Sequence, residues 1–198
     1  MDATDKRASI GARRSPDTAA AVLQAAADLI AEQGYAALTM ESVAKRARAG
    51  KATLYRWWPS KAHLVLALVS QANLDMRAPD TGSLQGDLSA YMTELMVIWR
   101  GEDGEMPLGP LVRVLYAEAQ SDPAFATLLA EERRLRWVQL DEILNAARLR
   151  GELAARLSPT RAKALAMALP IYLLMTDQLP GADAIAPMID DILAGLRA

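Results

Sequence analysis

Residues Thr39 to Lys61, TMESVAKRARAGKATLYRWWPSK, set the strongest constraint on how this chain folds. Within 23 residues a helix-start signal, a short amphipathic run, a break at Gly50, a second short run with an aromatic tail and a proline stop follow one another. Thr39 suits an N-cap, its hydroxyl accepting from the amide of Ser42. The match to a full capping box is partial, because the third position after the cap holds Ser rather than Glu or Gln. Val43, Ala44 and Ala47 form the inward face of the first short helix. Arg48-Ala49-Gly50 makes the break, and Gly50 can cap the next helix without strain. Leu54 anchors that helix, while Lys51, Ala52, Tyr55 and Arg56 fall on its other faces. Pro59 blocks continuation and Ser60 caps a further helix. Two short helices across a tight break are the layout of a helix-turn-helix DNA reader.

The rest of the chain fits this layout. Of 198 residues, 52% are hydrophobic, dominated by Ala and Leu without β-branched runs, which predicts an all-α protein. The length suits one ordinary domain, or a small one and a medium one. Cys is absent, so disulfides and thiolate metal sites are excluded. The lone histidine, His63, has no second His or Cys to share a metal with. No nucleophile–base pairing or phosphate-binding glycine loop is present, which argues against an enzyme, and no cofactor is expected. The longest apolar run, Leu165 to Met175, contains Pro170 and is far short of the ~20 residues a membrane span requires. With no apolar core in the N-terminal residues, a cytoplasmic protein without membrane contact is expected.

The net charge of −2 hides an asymmetry. Through His63 there are ten basic residues against six acidic ones; beyond it, twelve against eighteen. A basic front and an acidic back assign polyanion contact to the front. Residues 1–14 read as a disordered basic arm, with Arg13 and Arg14 placed to touch phosphate or a minor groove. Ser15-Pro16-Asp17 opens the first helix. Its apolar face is Val22, Ala26, Leu29 and Ile30, and Gly34 ends it. This gives a helix-turn-helix domain over 15–62 and a helical domain over 63–198.

At Thr39-Met40-Glu41-Ser42-Val43-Ala44, then Lys51-Ala52-Thr53-Leu54-Tyr55-Arg56-Trp57-Trp58, then Ser60-Lys61, the chain resembles the DNA-binding domain of the TetR family of bacterial transcriptional repressors. The spacing matches without gaps. The resemblance implies that Thr39, Tyr55, Trp57 and Lys61 contact the DNA backbone, with Thr53 among the DNA-facing positions. The side-chain chemistry agrees: helix starts at Thr39 and Lys61 meet phosphate well, and Tyr and Trp offer O–H and N–H donors. Lys51, Ala52 and Arg56 are the candidates for base edges. For Lys45, Arg46 and Arg48 a solvated face is the alternative to phosphate contact. Trp58 is assigned to the core. Arg48 stands where the family usually has Gly. An Arg forced to positive φ costs roughly 1 kcal/mol, so either the turn takes a variant geometry or Gly50 takes over the role.

Beyond a linker at Ala78–Ser83, helices are expected over Leu84–Arg100, Leu108–Gln120, Pro123 to about Arg150, from Pro159 with a kink at Pro170, and Pro187–Leu196. A Glu132/Arg136 pair lies at i, i+4 in the third of these. Pro107–Leu111, Glu118–Pro123 and Arg150–Leu153 resemble a C-terminal regulatory domain of one TetR subgroup. That resemblance implies a homodimer paired through its last two long helices and a small-molecule effector. Met92, Met96, Trp99, Tyr116, Trp137, Met167, Tyr172 and Met175 are candidate pocket lining, with an ordinary core as the alternative for each. The expected function is a homodimeric repressor on double-stranded DNA with a palindromic operator, released by an apolar or amphipathic ligand. A DNA binder without a ligand, or a helical protein-interaction module, is the alternative.

Overall fold

Ten α-helices and no strand make up the described residues of the computed structural model, which are 16–72 and 77–197. They are α1 (Pro16–Ala37), α2 (Met40–Arg46), α3 (Lys51–Trp57), α4 (Lys61–Ala72), α5 (Leu84–Arg100), α6 (Gly109–Ser121), α7 (Pro123–Arg136), α8 (Val138–Leu149), α9 (Pro159–Met175) and α10 (Ile185–Leu196). The all-α class expected from composition holds. The basic arm over 1–14 and the Ser15 cap lie outside the described residues. Among the described residues no helix is long and apolar enough to cross a membrane. The chain divides into two compact units, residues 1–64 and 65–198, and the division falls inside α4.

In the first unit, Val22, Ala26 and Leu29 of α1 are buried with Val43 and Ala44 of α2 and Leu54 of α3. Helices of seven residues do not persist alone in water, so α2 and α3 exist because this shared core holds them. α2 packs against both α1 and α3. Gly34 breaks α1, although not as the left-handed cap expected. At φ 79°, ψ 163° it occupies an extended, positive-φ region open essentially to glycine alone. Helical backbone then resumes to Ala37.

The second unit is organised on α5. Leu88, Tyr91, Met92, Leu95, Met96 and Trp99 lie on one stripe and are all buried. α5 packs on α8 and α10, α6 on α7, and α9 on α8 and α10. α6 starts close beneath α5: a Cβ on Gly109 would sit 2.7 Å from the Trp99 carbonyl oxygen, so the contact admits only glycine. Asp122 and Ser158 cap α7 and α9 as their sequence signals indicate.

Asp87 is the one buried charged residue among the described residues. It accepts from the Thr81 amide (2.6 Å), the Thr81 hydroxyl (2.8 Å) and the Arg150 guanidinium (3.0 Å). Burial alone would raise its pKa, but these three donors outweigh it and hold the carboxyl below its ordinary value. Glu152 also pairs with Arg150 and accepts from the Leu84 amide at 2.6 Å. The start of α5 is thus tied to the end of α8.

The single helix expected from Pro123 to about Arg150 is two. At Trp137 (φ −99°, ψ 18°) the backbone leaves helical geometry between α7 and α8. Hydrogen bonds from Trp137 N to Arg133 O and from Asp141 N to Trp137 O, both 3.1 Å, bridge the bend. The helical period therefore runs through it, and sequence spacing does not register the break. The Glu132/Arg136 pair also takes another form. Ser70 Oγ donates to Glu132 (2.8 Å) and accepts from Arg136 (3.4 Å), so both meet through the serine hydroxyl. α9 continues through Pro170 to Met175.

Candidate nucleic-acid interface

Thr39 begins α2 with a reciprocal cap. Its hydroxyl accepts from Ser42 N at 3.1 Å, and its own amide donates to Ser42 Oγ at 3.2 Å. Serine at the third position therefore completes the box that the sequence pattern made partial. Thr39 itself is exposed at this positive helix end. Across the turn, Leu54 is fully buried, which fixes the roll of α3. Lys51, Ala52, Tyr55 and Arg56 consequently face out, with Thr53 and Trp57 half-buried at the margins. Trp58 is core, packed edge-on against Trp57 at 5.7 Å.

A carboxylate stands among these groups. Glu41 of α2 lies 3.7 Å from Lys51 Nζ and accepts from the Tyr55 hydroxyl at 3.3 Å. Burial, with the Glu41 charge beside it, raises the Tyr55 pKa, so the phenol stays a protonated donor. Sequence reading did not single out Glu41, although its place two residues after the cap put it on this face.

Ser60 caps α4, its oxygen accepting from His63 N at 3.4 Å and lying 2.8 Å from His63 Nδ1. Lys61 follows at the helix start. Its ammonium donates to the Tyr35 carbonyl (3.1 Å) and sits 4.0 Å over the Tyr35 ring. Lys61 is thus a tie to the end of α1 as well as a cation at a helix N-terminus. Of the three residues with a solvated face as alternative, Arg46 is ion-paired to Glu32 at 2.7 Å.

The turn resolves the question raised by Arg48. Arg48 has φ 51°, in the left-handed region, while Gly50 has φ −68° and caps α3 in extended geometry. Neither expected alternative holds: the turn keeps its left-handed residue with an arginine in it, and Gly50 does not take over. The strain is about 1 kcal/mol, tolerated because Arg48 is exposed.

In the second unit a cavity of about 30 Å³ opens between α4, α5, α6, α7 and α9. That is room for a water or two, not for a drug-sized molecule. Of the candidate residues, Trp99, Tyr116 and Trp137 line it. Five other candidates do not. Met92, Met96 and Met167 are buried in packing away from it, and Tyr172 and Met175 face solvent at 58% and 38% exposure. Helical period placed these residues on apolar faces but could not say which face meets a void. Tyr91, Leu95, Arg133 and Arg136 line the cavity and were missed; nothing in local sequence separates such arginines from a solvated helix face.

Two family models match successive stretches of the chain. Residues 22–68 match the model of bacterial regulatory proteins of the tetR family, and residues 78–192 match a tetracyclin repressor-like C-terminal domain. An uncharacterised HTH-type transcriptional regulator of Mycobacterium bovis is 33% identical over 173 residues, covering 83% of this chain and 80% of the relative. The HTH-type regulator YdeS of Bacillus subtilis, likewise uncharacterised, is 35% identical over 130 residues, 65% of this chain and 61% of that protein. The TetR-family transcription regulator SCO0332, a crystal structure, superposes with a TM-score of 0.72 at 29% identity, covering 92% of this chain and all of that one. With a helix-turn-helix that turns a cationic face outward ahead of a helical second unit, this chain belongs to the TetR family of bacterial regulatory proteins: a DNA-binding transcriptional regulator, not an enzyme.

Proposed function

We propose that two copies of this chain bind a palindromic operator, that the bound dimer represses transcription, and that a small molecule entering the second unit releases it. The observation that carries the reading is α3, whose one buried anchor, Leu54, leaves Lys51, Ala52, Tyr55 and Arg56 exposed together. In this reading Lys51, Ala52 and Arg56 meet base edges, while Thr39, Thr53, Tyr55, Trp57 and Lys61 position the helix on the sugar-phosphate backbone.

Dimerisation is supported by apolar side chains left in solvent on two neighbouring helices. Val138 and Leu149 are exposed along α8, with Leu135 just before it at the end of α7, and Leu165, Tyr172 and Met175 along α9. Tyr172 and Met175, excluded from the cavity, thereby gain a different role. A second copy related by a two-fold axis would cover both faces and set two reading helices about one DNA turn, ~34–36 Å, apart.

Release is supported by α4. It begins at Lys61 and carries Val69, which lines the cavity. A ligand that widens the cavity would re-angle α4, and a coupling of ~1–3 kcal/mol suffices to shift operator occupancy. The test is selection of genomic fragments by the purified protein. Two-fold sequences with half-sites one turn apart are expected. Enrichment of single half-sites, or of no common sequence, overturns the dimeric-operator reading.

A further inference from the structure

We infer that the cavity of the second unit is built for an anion: it takes an aromatic carboxylate, with Arg136 and Arg133 holding the acid group. The inference deepens the effector reading above and rests on it for its regulatory meaning.

A guanidinium withdrawn from water costs free energy and persists in a protein when it is paired. Arg136 is half-buried, and burial lowers its pKa. Its hydrogen bond goes to a neutral partner, the Ser70 hydroxyl, at a long 3.4 Å. The nearest acid on its own helix, Glu132, is engaged by the same hydroxyl at 2.8 Å. Among the described residues no carboxylate comes within 4 Å of either Arg136 or Arg133. After burial the next influence is Glu132, whose charge favours the charged form of Arg136, while Arg133, one turn away, adds a second positive charge that disfavours it.

The surroundings define the rest of the ligand. Arg133 Nη1 donates to the Tyr116 hydroxyl at 3.0 Å, and its guanidinium lies 5.1 Å from the Trp137 ring and 5.8 Å from the Tyr116 ring. The one hydrogen bond to Tyr116 leaves further N–H donors on this guanidinium. Tyr91 and Trp99 complete an aromatic enclosure. Two forked donors with no carboxylate among the described residues in ion-pair contact suit a planar, two-oxygen anion. Aromatic walls suit a flat apolar body behind it. At about 30 Å³ the cavity admits such a body only by opening. Arg133 and Arg136 stand on the last turn of α7, immediately before the bend at Trp137, and Trp137 itself lines the space.

Calorimetric titration of the full-length protein with 2-naphthoate, and with 2-naphthamide as its neutral isostere, tests this. The wild type is expected to bind the carboxylate at least tenfold more tightly than the amide. Arg136→Met and, separately, Arg133→Met are expected to erase that preference while helical content is unchanged. Equal binding of the two compounds, no binding of naphthoate, or a preference that survives both substitutions overturns the inference. A second readout needs no ligand. Removing a half-buried guanidinium that has no ion pair is expected to raise the Tm of Arg136→Met, and a fall of several degrees shows the guanidinium already satisfied and overturns the anion site. Operator release is scored separately. Naphthoate that binds without releasing DNA refutes the effector reading and leaves the anion site standing. Release by naphthamide as readily as by naphthoate does the reverse.

Discussion

The two units are held together by interactions of different range. In the reading head the polar ties are short in sequence: Thr39 with Ser42, Ser60 with His63, and at most Lys61 with Tyr35. In the second unit the ties that matter join residues 62 and 63 positions apart, Ser70 with Glu132 and Asp87 with Arg150. The head is assembled from local signals that close on a few apolar anchors, and its working side chains face outward. The second unit assembles from long-range packing, and its charged groups of interest face inward. A head built this way is sensitive at its anchors and tolerant on its surface. The second unit is sensitive at its buried charge, Asp87.

The largest expected effect tests the anchor. Leu54→Ala removes a fully buried side chain and is expected to cost the head about 3–4 kcal/mol. Calorimetry should then show the head melting first while the second unit keeps its transition. Loss of both in one step would show that the head is not specified on its own terms.

Next is Asp87→Ala, expected to destabilise the second unit by about 2–3 kcal/mol, since the remaining Arg150 is partly exposed and keeps Glu152. A pH signature accompanies it. The Asp87 carboxyl is held below its ordinary value in the folded state. Its contribution is therefore fully present above the unfolded pKa of about 3.9 and is lost as pH falls through the lower folded value. Wild-type stability should drop below about pH 4, and Asp87→Asn should flatten that acid limb in denaturant titrations. An unchanged limb would remove Asp87 from the long-range ties.

Surface tolerance is probed by Arg56→Ala. Folding stability should hold, operator binding should weaken by about 1–2 kcal/mol, and selectivity should relax at one base pair in a competition assay. Unchanged discrimination would take Arg56 off the base-reading list. The smallest effect is a gain. Arg48→Gly relieves a left-handed arginine and should stabilise the head by about 0.5–1 kcal/mol, the relief being partly offset by the freer unfolded chain. Thermal unfolding decides it, and operator affinity should barely move because the turn already has this geometry.

What could be read without coordinates follows the same split. The caps at Thr39, Ser60, Asp122 and Ser158, the anchor at Leu54 and the outward set on α3 were legible, because capping and helical period act over three or four residues. Local chemistry also posed the right question at Arg48, but only the backbone answered it, since glycine two residues on left both turn geometries open. The bend at Trp137 escaped because hydrogen bonds carry the period across it. The cavity escaped for a deeper reason. Tyr91, Met92, Leu95, Met96 and Trp99 share one apolar stripe, yet Met92 and Met96 meet neighbouring side chains while Tyr91, Leu95 and Trp99 border a void. Period assigns a face to a residue; the helix packed opposite decides whether that face is filled. Sequence alone determined a helical chain with a basic reading head. Tertiary packing decided that Tyr172 and Met175 face solvent and that two arginines turn toward an aromatic cavity.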